Sequence, residues 1–220
     1  MGTGWTLVCD LGGVLLRWEP DVLLRGVLDR QPELWARPGL FPPGPVTVDA
    51  LVTVVFQDFT PDSDWSAFDR GTLDAEGLIA RVRARTGLDA AVLRALLDDI
   101  DGHLDYLAPT VHLVERLRAA GHRLVYLSNM PAPFADRLAA DPRFTAWFED
   151  GIFSSRVQQV KPEPEIYRTA VHRLGLDDGP VLMIDDRPVN LVPARALGWG
   201  GLHFRDADGC AAELERTGWL

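Results

Sequence analysis

The sequence has 220 residues, 47% of them hydrophobic, and its 32 acidic side chains outnumber the 22 basic ones for a formal net charge of -10. This length and apolar content suffice for the core of one domain with a small insertion. The acidic balance argues against nucleic acid or an anionic membrane as a partner, since either would require a basic face.

Cysteine content and hydropathy predict a soluble, cytoplasmic protein. Cys9 and Cys210 have no metal-ligand spacing, and a reducing compartment is their simplest setting. No signal-peptide pattern opens the sequence, and no apolar run approaches the ~18 residues that a membrane-spanning helix requires.

The stretch TLVCDLGGVLLRW begins as a short apolar strand pattern that is followed directly by a charged residue. Residues 7–9 are an apolar run that ends in Asp10, and Gly12 and Gly13 follow closely. An ionised carboxylate beside an apolar core needs a partner. Asp10 is therefore either a solvated turn residue or the meeting point for groups from later in the chain.

Residues 17–106 lack the regular strand–helix alternation of the second half. They include a proline-rich loop at 38–45 and a helical pattern at 74–87. A connection this long should carry structure of its own, so we predict a small helical cap over the strand ends. Packing within the cap is the commonest role for its large side chains, but some could line a pocket. The candidates are Trp18, Phe41, Trp65, Phe68 and Arg70.

The second half of the chain alternates helical patterns with short apolar runs. The spacing predicts a helix over 109–121, where Gly121 supplies a stop signal. A strand follows over 124–127 and ends abruptly in Ser128 and Asn129.

The same alternation continues towards the C-terminal region. A helix begins near Pro164 and stops at Gly175, and the buried-strand run at 181–184 ends in Asp185 and Asp186. The remaining predicted elements are a helix over 190–197 and a short strand over 201–204.

This alternation specifies an α/β fold, a Rossmann-like doubly wound parallel sheet with helices on both faces. Residues 1–16 and 107–220 would form the core domain, and residues 17–106 the helical cap domain inserted after the first strand. Ligands of such sheets bind at the carboxyl ends of the strands. We therefore expect the polar strand ends to meet in one crevice.

Four segments in order resemble the motifs of the haloacid dehalogenase (HAD) superfamily. VCDLGGVLL resembles the first motif, LVYLSN the second, VKPEPEIY the third and MIDDRPVNL the fourth. Each is a weak signal alone, but four in order, each in the right strand or helix context, are specific. The first motif and the residues around KPEPEIY are most similar to a subgroup of small sugar-phosphate phosphatases.

The resemblance implies an aspartyl nucleophile and a Mg2+ site. Asp10 would attack phosphorus and form an acyl-phosphate. Asp10, the backbone carbonyl of Gly12 and one or both of Asp185 and Asp186 would hold Mg2+, with Asp186 preferred as the direct ligand and Asp185 behind it or touching a lysine. Asn190 would orient the aspartates.

Other motif residues are implied to bind the phosphoryl group. The Lys161 ammonium would neutralise its oxygens, and the Ser128 hydroxyl and the Asn129 amide would donate hydrogen bonds to them. Gly12 and Gly13 would let the backbone approach the phosphate closely.

One position departs from the family pattern. Most phosphatases of the superfamily carry a second Asp two residues after the nucleophile, which protonates the leaving group and then activates water, whereas this chain has Gly12. A general acid is worth ~100- to 10,000-fold in rate. Asp58, Asp69 and His103, in or near the cap, are candidates to replace it, and so is water.

The predicted function is a Mg2+-dependent phosphatase of small phosphorylated metabolites, with sugar phosphates as one class. A metal-free 2-haloacid dehalogenase is an alternative, although the pair Asp185–Asp186 argues against it. A non-catalytic HAD-like protein that binds a ligand or partner is a second alternative, suggested by Gly12. The leading hypothesis gives a small-molecule phosphate ester as the partner and a monomer or homodimer as the assembly.

Overall fold

A computed structural model of the protein describes residues 5–33, 47–177 and 179–220. The proline-rich loop at 38–45, and with it Phe41, lies outside these residues. Five strands form one parallel sheet in the order β3-β2-β1-β4-β5, which confirms the doubly wound α/β fold. The strands are β1 Thr6–Cys9, β2 Arg123–Ser128, β3 Asp150–Phe153, β4 Val181–Asp185 and β5 Gly200–His203.

Strand β3 was not predicted, whereas the other four strands were. Gly151 of β3 lies opposite Tyr126 of β2, and a Cβ atom at position 151 would collide with the tyrosine ring. Glycine is therefore required at this position, although it weakens the strand pattern of a run only four residues long.

Twelve α-helices lie within the described residues, and none of them is both long and apolar enough to cross a membrane. The first six lie between β1 and β2. The helices are α1 Pro20–Arg30, α2 Val48–Phe56, α3 Asp64–Asp69, α4 Ala75–Thr86, α5 Ala90–His103, α6 Ala108–Ala119, α7 Ala132–Ala140, α8 Pro142–Trp147, α9 Ser154–Val157, α10 Pro164–Leu174, α11 Pro188–Ala196 and α12 Ala207–Arg216.

Local sequence signals set the ends of the predicted helices. At the start of α4 the Asp74 carboxylate accepts a hydrogen bond from the Gly77 amide, and Gly87 ends the helix in the left-handed region with φ 74°. Helix α10 has Pro164 in its first turn and Gly175, with φ 59°, at its end. These signals confirm the helices predicted over 74–87 and from Pro164 to Gly175.

The sheet changes direction at β1. From β1 the chain crosses to β2 and β3 on one side, and then returns to β4 and β5 on the other. Cys9, the last residue of β1, pairs with Tyr126 on one side and Ile184 on the other. Asp10 therefore emerges at the point of an open parallel sheet where ligands bind.

The helices between β1 and β2 contact the rest of the chain through polar groups. The Arg70 guanidinium donates two hydrogen bonds to Glu163, at 2.6 and 2.9 Å. The Ser154 hydroxyl donates to the backbone carbonyl of Asp69 at 2.6 Å. The division of the chain into cap and core domains stays a prediction.

Candidate active site

Three carboxylates and one ammonium meet at the carboxyl end of the central strands. Oxygens of Asp10, Asp185 and Asp186 lie within 4.8 Å of one another. The Nζ atom of Lys161 lies 2.8 Å from Oδ2 of Asp10 and 2.7 Å from Oδ2 of Asp185. The strand ends and the loop before α10 therefore converge, as expected.

Lys161 is the only lysine of the chain, and it is 1% exposed. Burial lowers the pKa of its ammonium, but Asp10 and Asp185 raise it by more, so the net shift is upward. Lys161 thus stays charged within the core, where an ammonium without partners would be strongly destabilising.

The charge of the cluster is not balanced by Lys161 alone. Burial, and then the neighbouring Asp185, raises the pKa of Asp10, while Lys161 pulls it down. Burial and Asp185 likewise raise the pKa of Asp186. Three carboxylates share one ammonium, so the site favours a further positive charge.

Asp185 and Asp186 are adjacent but have different surroundings. Asp185 is fully buried; its Oδ1 accepts hydrogen bonds from the Arg187 amide and the Asn190 side chain, each at 2.9 Å, and its Oδ2 faces Lys161. Among the described residues, no side chain donates a hydrogen bond to the carboxylate of Asp186. Asp186 therefore retains free ligand oxygens that Asp185 lacks.

The two glycines after Asp10 differ in what they allow. Gly13 has φ +73°, and a Cβ atom there would lie 2.5 Å from Oδ2 of Asp186. At Gly12 a Cβ atom would meet Trp18 at 3.6 Å, which is an ordinary contact. Gly13 thus leaves the space that the Asp186 carboxylate occupies, and this requirement was not predicted from the sequence.

The side chain of Asn129 makes a contact that differs from the predicted one. Its Nδ2 donates to the Lys161 carbonyl at 3.0 Å, and its Oδ1 accepts from the Lys161 amide at 2.8 Å. The amide thus holds the lysine-bearing loop, and its binding of a phosphoryl group stays a prediction. Ser128 is buried and lines the cavity, and the Asn190 side chain donates a hydrogen bond to Asp185.

A cavity of about 320 Å³ opens above the carboxylates. Its floor is polar, and its walls are mostly apolar. The floor residues are Asp10, Gly12, Ser128, Asn129, Lys161, Asp186 and Asn190. The apolar wall residues are Trp18, Pro20, Phe59, Trp65, Ile100, Leu104, Met130, Pro131 and Phe134.

Two predicted pocket residues line this cavity and two do not. Trp18 and Trp65 belong to the walls, with ring centroids 6.0 Å apart. Phe68 packs beside Trp65 without lining the cavity, and Arg70 is bound to Glu163. Phe41 lies outside the described residues.

Two further polar residues line the cavity, Asp69 and Arg187. The Arg187 guanidinium lies 5.5 Å from the centroid of the Phe59 ring and donates to the backbone carbonyl of Asp58 at 3.1 Å. Arg187 was not among the predicted site residues, although its position directly after Asp185 and Asp186 could have indicated it. Asp69 was one of three candidates for the missing acid.

The model of the haloacid dehalogenase-like hydrolase family matches residues 6–198. The chain belongs to this family. This HAD-family hydrolase is 24% identical to a sesquiterpene phosphatase of Aspergillus oryzae over 95% of its own length and 94% of the relative's. It is 31% identical to a chloroplast flavin mononucleotide hydrolase of Arabidopsis thaliana over 70% of its own length and 62% of the relative's.

Solved structures of the family share the fold of this HAD-family hydrolase. One is a HAD family enzyme of Bacteroides thetaiotaomicron in complex with magnesium and inorganic phosphate, with TM-score 0.64, 19% identity and coverage of 91% of this chain and 93% of that one. Another is the L-2-haloacid dehalogenase of Xanthobacter autotrophicus, with TM-score 0.60, 19% identity and coverage of 96% and 82%. At these identities the likeness concerns the fold alone.

Proposed function

We propose that this HAD-family hydrolase is a Mg2+-dependent phosphatase that works through an aspartyl-phosphate on Asp10. The observation that carries the proposal is the buried Asp10–Lys161–Asp185 arrangement, with Asp186 beside it, at the polar floor of a cavity whose walls are mostly apolar. The relatives named as phosphatases support the same reaction class.

The donor set fits Mg2+. The carboxylate of Asp186 has no side-chain donor among the described residues, and the cluster holds more negative than positive charge. Carboxylate and carbonyl oxygens are the ligands that this hard cation prefers. We assign Asp10, Asp186 and the Gly12 carbonyl as the residues that would hold it, with Asp185 kept by its own hydrogen bonds for Lys161. When bound, the ion supplies positive charge that offsets the charge of the phosphoryl group.

The residues of the floor have complementary roles in this proposal. The ionised Asp10 carboxylate attacks phosphorus, the ester oxygen departs, and water later hydrolyses the acyl-phosphate. Lys161 offers its positive charge to the phosphoryl oxygens, and the Ser128 hydroxyl is available to donate to them. Asn129 and Asp185 fix the lysine from opposite ends, at its backbone and at its ammonium.

The apolar cavity walls favour a substrate with an apolar organic group over the sugar phosphate that the sequence suggested. A sugar would turn several hydroxyl groups towards Trp18, Trp65 and Phe134 and their neighbours, and each hydroxyl left without a partner costs about 1–3 kcal/mol. An alkenyl or aromatic group instead gains free energy by leaving water. The relative named as a sesquiterpene phosphatase agrees with this choice.

Phosphate release from matched esters tests the proposal. The panel contains geranyl phosphate, 2-phenylethyl phosphate, glucose 6-phosphate and phosphoglycolate, each assayed with Mg2+ and with chelator. We expect Mg2+-dependent release with the highest kcat/KM for the two apolar esters, and its loss in Asp10→Asn. The matched control is Asp62→Asn, which changes an exposed carboxylate and should retain full activity.

Different outcomes contradict different parts of the proposal. Phosphate release in the presence of chelator would contradict the role of the metal. Phosphate release by Asp10→Asn would contradict the role of Asp10 as the nucleophile. A preference for glucose 6-phosphate would remove only the apolar substrate class. Chloride release from 2-chloropropionate without any phosphatase activity would favour the dehalogenase alternative. An L-2-haloacid dehalogenase shares the fold, so this activity is included in the test.

A further inference from the structure

Phosphate transfer to Asp10 leaves the ester oxygen in need of a proton. Gly12 cannot supply one, since it has no side chain. The inference that follows rests on the proposed phosphatase function and identifies the residue that delivers this proton. Such a residue must reach the cavity and carry a proton at neutral pH. Its backbone must also be held in place near Asp10.

Only one of the three sequence candidates meets the first requirement. Asp58 is exposed and does not line the cavity. Nε2 of His103 accepts a hydrogen bond from the Glu19 amide at 3.2 Å, and His103 does not line the cavity either. Asp69 lines the cavity together with Asp10 and Lys161.

Asp69 is attached to the same loops that carry the floor residues. It is the last residue of α3, and its carbonyl accepts a hydrogen bond from the Ser154 hydroxyl at 2.6 Å. The same hydroxyl oxygen accepts from the Met130 amide at 2.8 Å, two residues after Ser128. The neighbouring Arg70 is fixed by its ion pair with a glutamate near Lys161.

The carboxyl of Asp69 is set up to hold a proton. The residue is 5% exposed, and no hydrogen bond to its carboxyl oxygens is formed within the described part of the chain. Burial raises the pKa of Asp69 to about 7, although the charges of Arg187 and Lys161 lower it. A substantial fraction of the molecules therefore carries a protonated Asp69 at neutral pH, and the group is equally able to accept a proton back.

We propose that Asp69 is the general acid and base of the reaction, in place of a residue at position 12. In the first step Asp10 bonds to phosphorus, the P–O ester bond breaks, and the Asp69 proton passes to the departing oxygen to give the alcohol. In the second step water bonds to phosphorus, Asp69 takes the proton of that water, and the acyl-phosphate P–O bond breaks. Phosphate leaves with Asp10 ionised and Asp69 protonated, as at the start.

The dependence on the leaving group tests this role. An alkoxide needs the proton in order to depart, whereas p-nitrophenolate departs without it. We expect Asp69→Asn to lower kcat/KM by about 100-fold or more for 2-phenylethyl phosphate and by less than about 3-fold for p-nitrophenyl phosphate. Both esters present an aromatic group to the same apolar walls, so binding alone cannot separate them.

The control variant and the folding check complete the experiment. The control is Asp62→Asn, which changes an exposed carboxylate that, like Asp69, lies between β1 and β2. This variant should leave both rates unchanged. Thermal unfolding verifies each variant, and Asp69→Ser is measured in the same way if Asp69→Asn does not fold. Equal losses for the two esters, or no loss, would overturn the role of Asp69 while phosphatase activity stands. No hydrolysis of either ester by the unaltered protein would overturn the proposed function itself.

Discussion

At the scale of single residues, the loop after β1 shows why two adjacent glycines are not interchangeable. Gly13 has a positive φ, and its missing side chain leaves the space that an Asp186 oxygen fills. Gly12 faces Trp18 at ordinary contact distance, so its position tolerates a methyl group. Glycine is thus required at position 13 by its positive φ and by the nearby Asp186, whereas no neighbouring side chain requires it at position 12.

Alanine substitutions separate the two positions. We expect Gly13→Ala to lower the free energy of unfolding by at least about 1–2 kcal/mol, because the methyl group combines an unfavourable φ with a 2.5 Å approach to Asp186. Gly12→Ala is the matched control and should change it by less than about 1 kcal/mol. Urea unfolding in chelator measures both. Similar losses for the two variants would contradict the distinction.

At the scale of secondary-structure elements, the sequence was informative where a signal is local. The core strands and the helices that end at Gly87 and Gly175 were predicted because apolar runs, caps and stop signals lie within the element itself. Strand β3 was missed because its glycine is explained only by Tyr126 on the neighbouring strand. The contact of Asn129 with the backbone of Lys161 was missed for a similar reason, since the two residues are remote in sequence.

The ion pair between the end of α3 and the loop before α10 connects the helices that lie between β1 and β2 to the lysine-bearing loop. Arg70 and Glu163 are 20% and 30% exposed and form two hydrogen bonds. We expect Glu163→Gln to reduce kcat/KM by about 3- to 10-fold and the free energy of unfolding by about 1 kcal/mol. Steady-state kinetics and urea unfolding measure the two effects.

A second ion pair supplies the control for that experiment. Arg94 and Glu76 are paired at 2.8 Å within the insertion, and both are largely exposed. Glu76→Gln removes the same kind of charge without disturbing the contact with the core, so activity should stay unchanged. Equal kinetic effects in the two variants would show that the Glu163 contact has no special part in positioning the site.

At the scale of the whole molecule, the cavity is the feature that sequence predicts least. Its walls come from three parts of the chain that are far apart in sequence, around Trp18, around Phe59 and Trp65, and around Phe134. Large apolar side chains at helical spacing are equally compatible with a packed core, and only the packing of whole helices decides which of them face an empty space. The charged floor was predictable because each of its groups ends a strand or follows a recognisable motif.

The buried Asp69 should give the whole molecule a distinctive dependence of stability on pH. Its pKa is raised from 3.8 to about 7 in the folded protein. A raised carboxyl pKa stabilises the fold below the unfolded value, and this contribution is lost as pH rises through the folded value. The free energy of unfolding of Asp69→Asn, relative to that of the unaltered protein, should therefore rise between pH ~4 and pH ~7, by on the order of 4 kcal/mol.

Urea unfolding in chelator at several pH values measures this difference. Asp62→Asn, whose carboxylate is exposed, should track the unaltered protein at every pH. A difference between Asp69→Asn and the unaltered protein that does not change with pH would show that Asp69 has an ordinary pKa in the folded state.

The solitary lysine has a practical consequence for chemical labelling. Apart from a terminal amine, Lys161 is the sole primary amine of the protein, and it lies inside the fold with two carboxylates against it. Acylating reagents require an accessible, uncharged amine, so the native protein should be almost inert to them. Any event that opens the site would let the reagent add a single acyl group to Lys161. Intact-mass spectrometry of the acylated protein would then count opened molecules directly, without substrate or an attached dye.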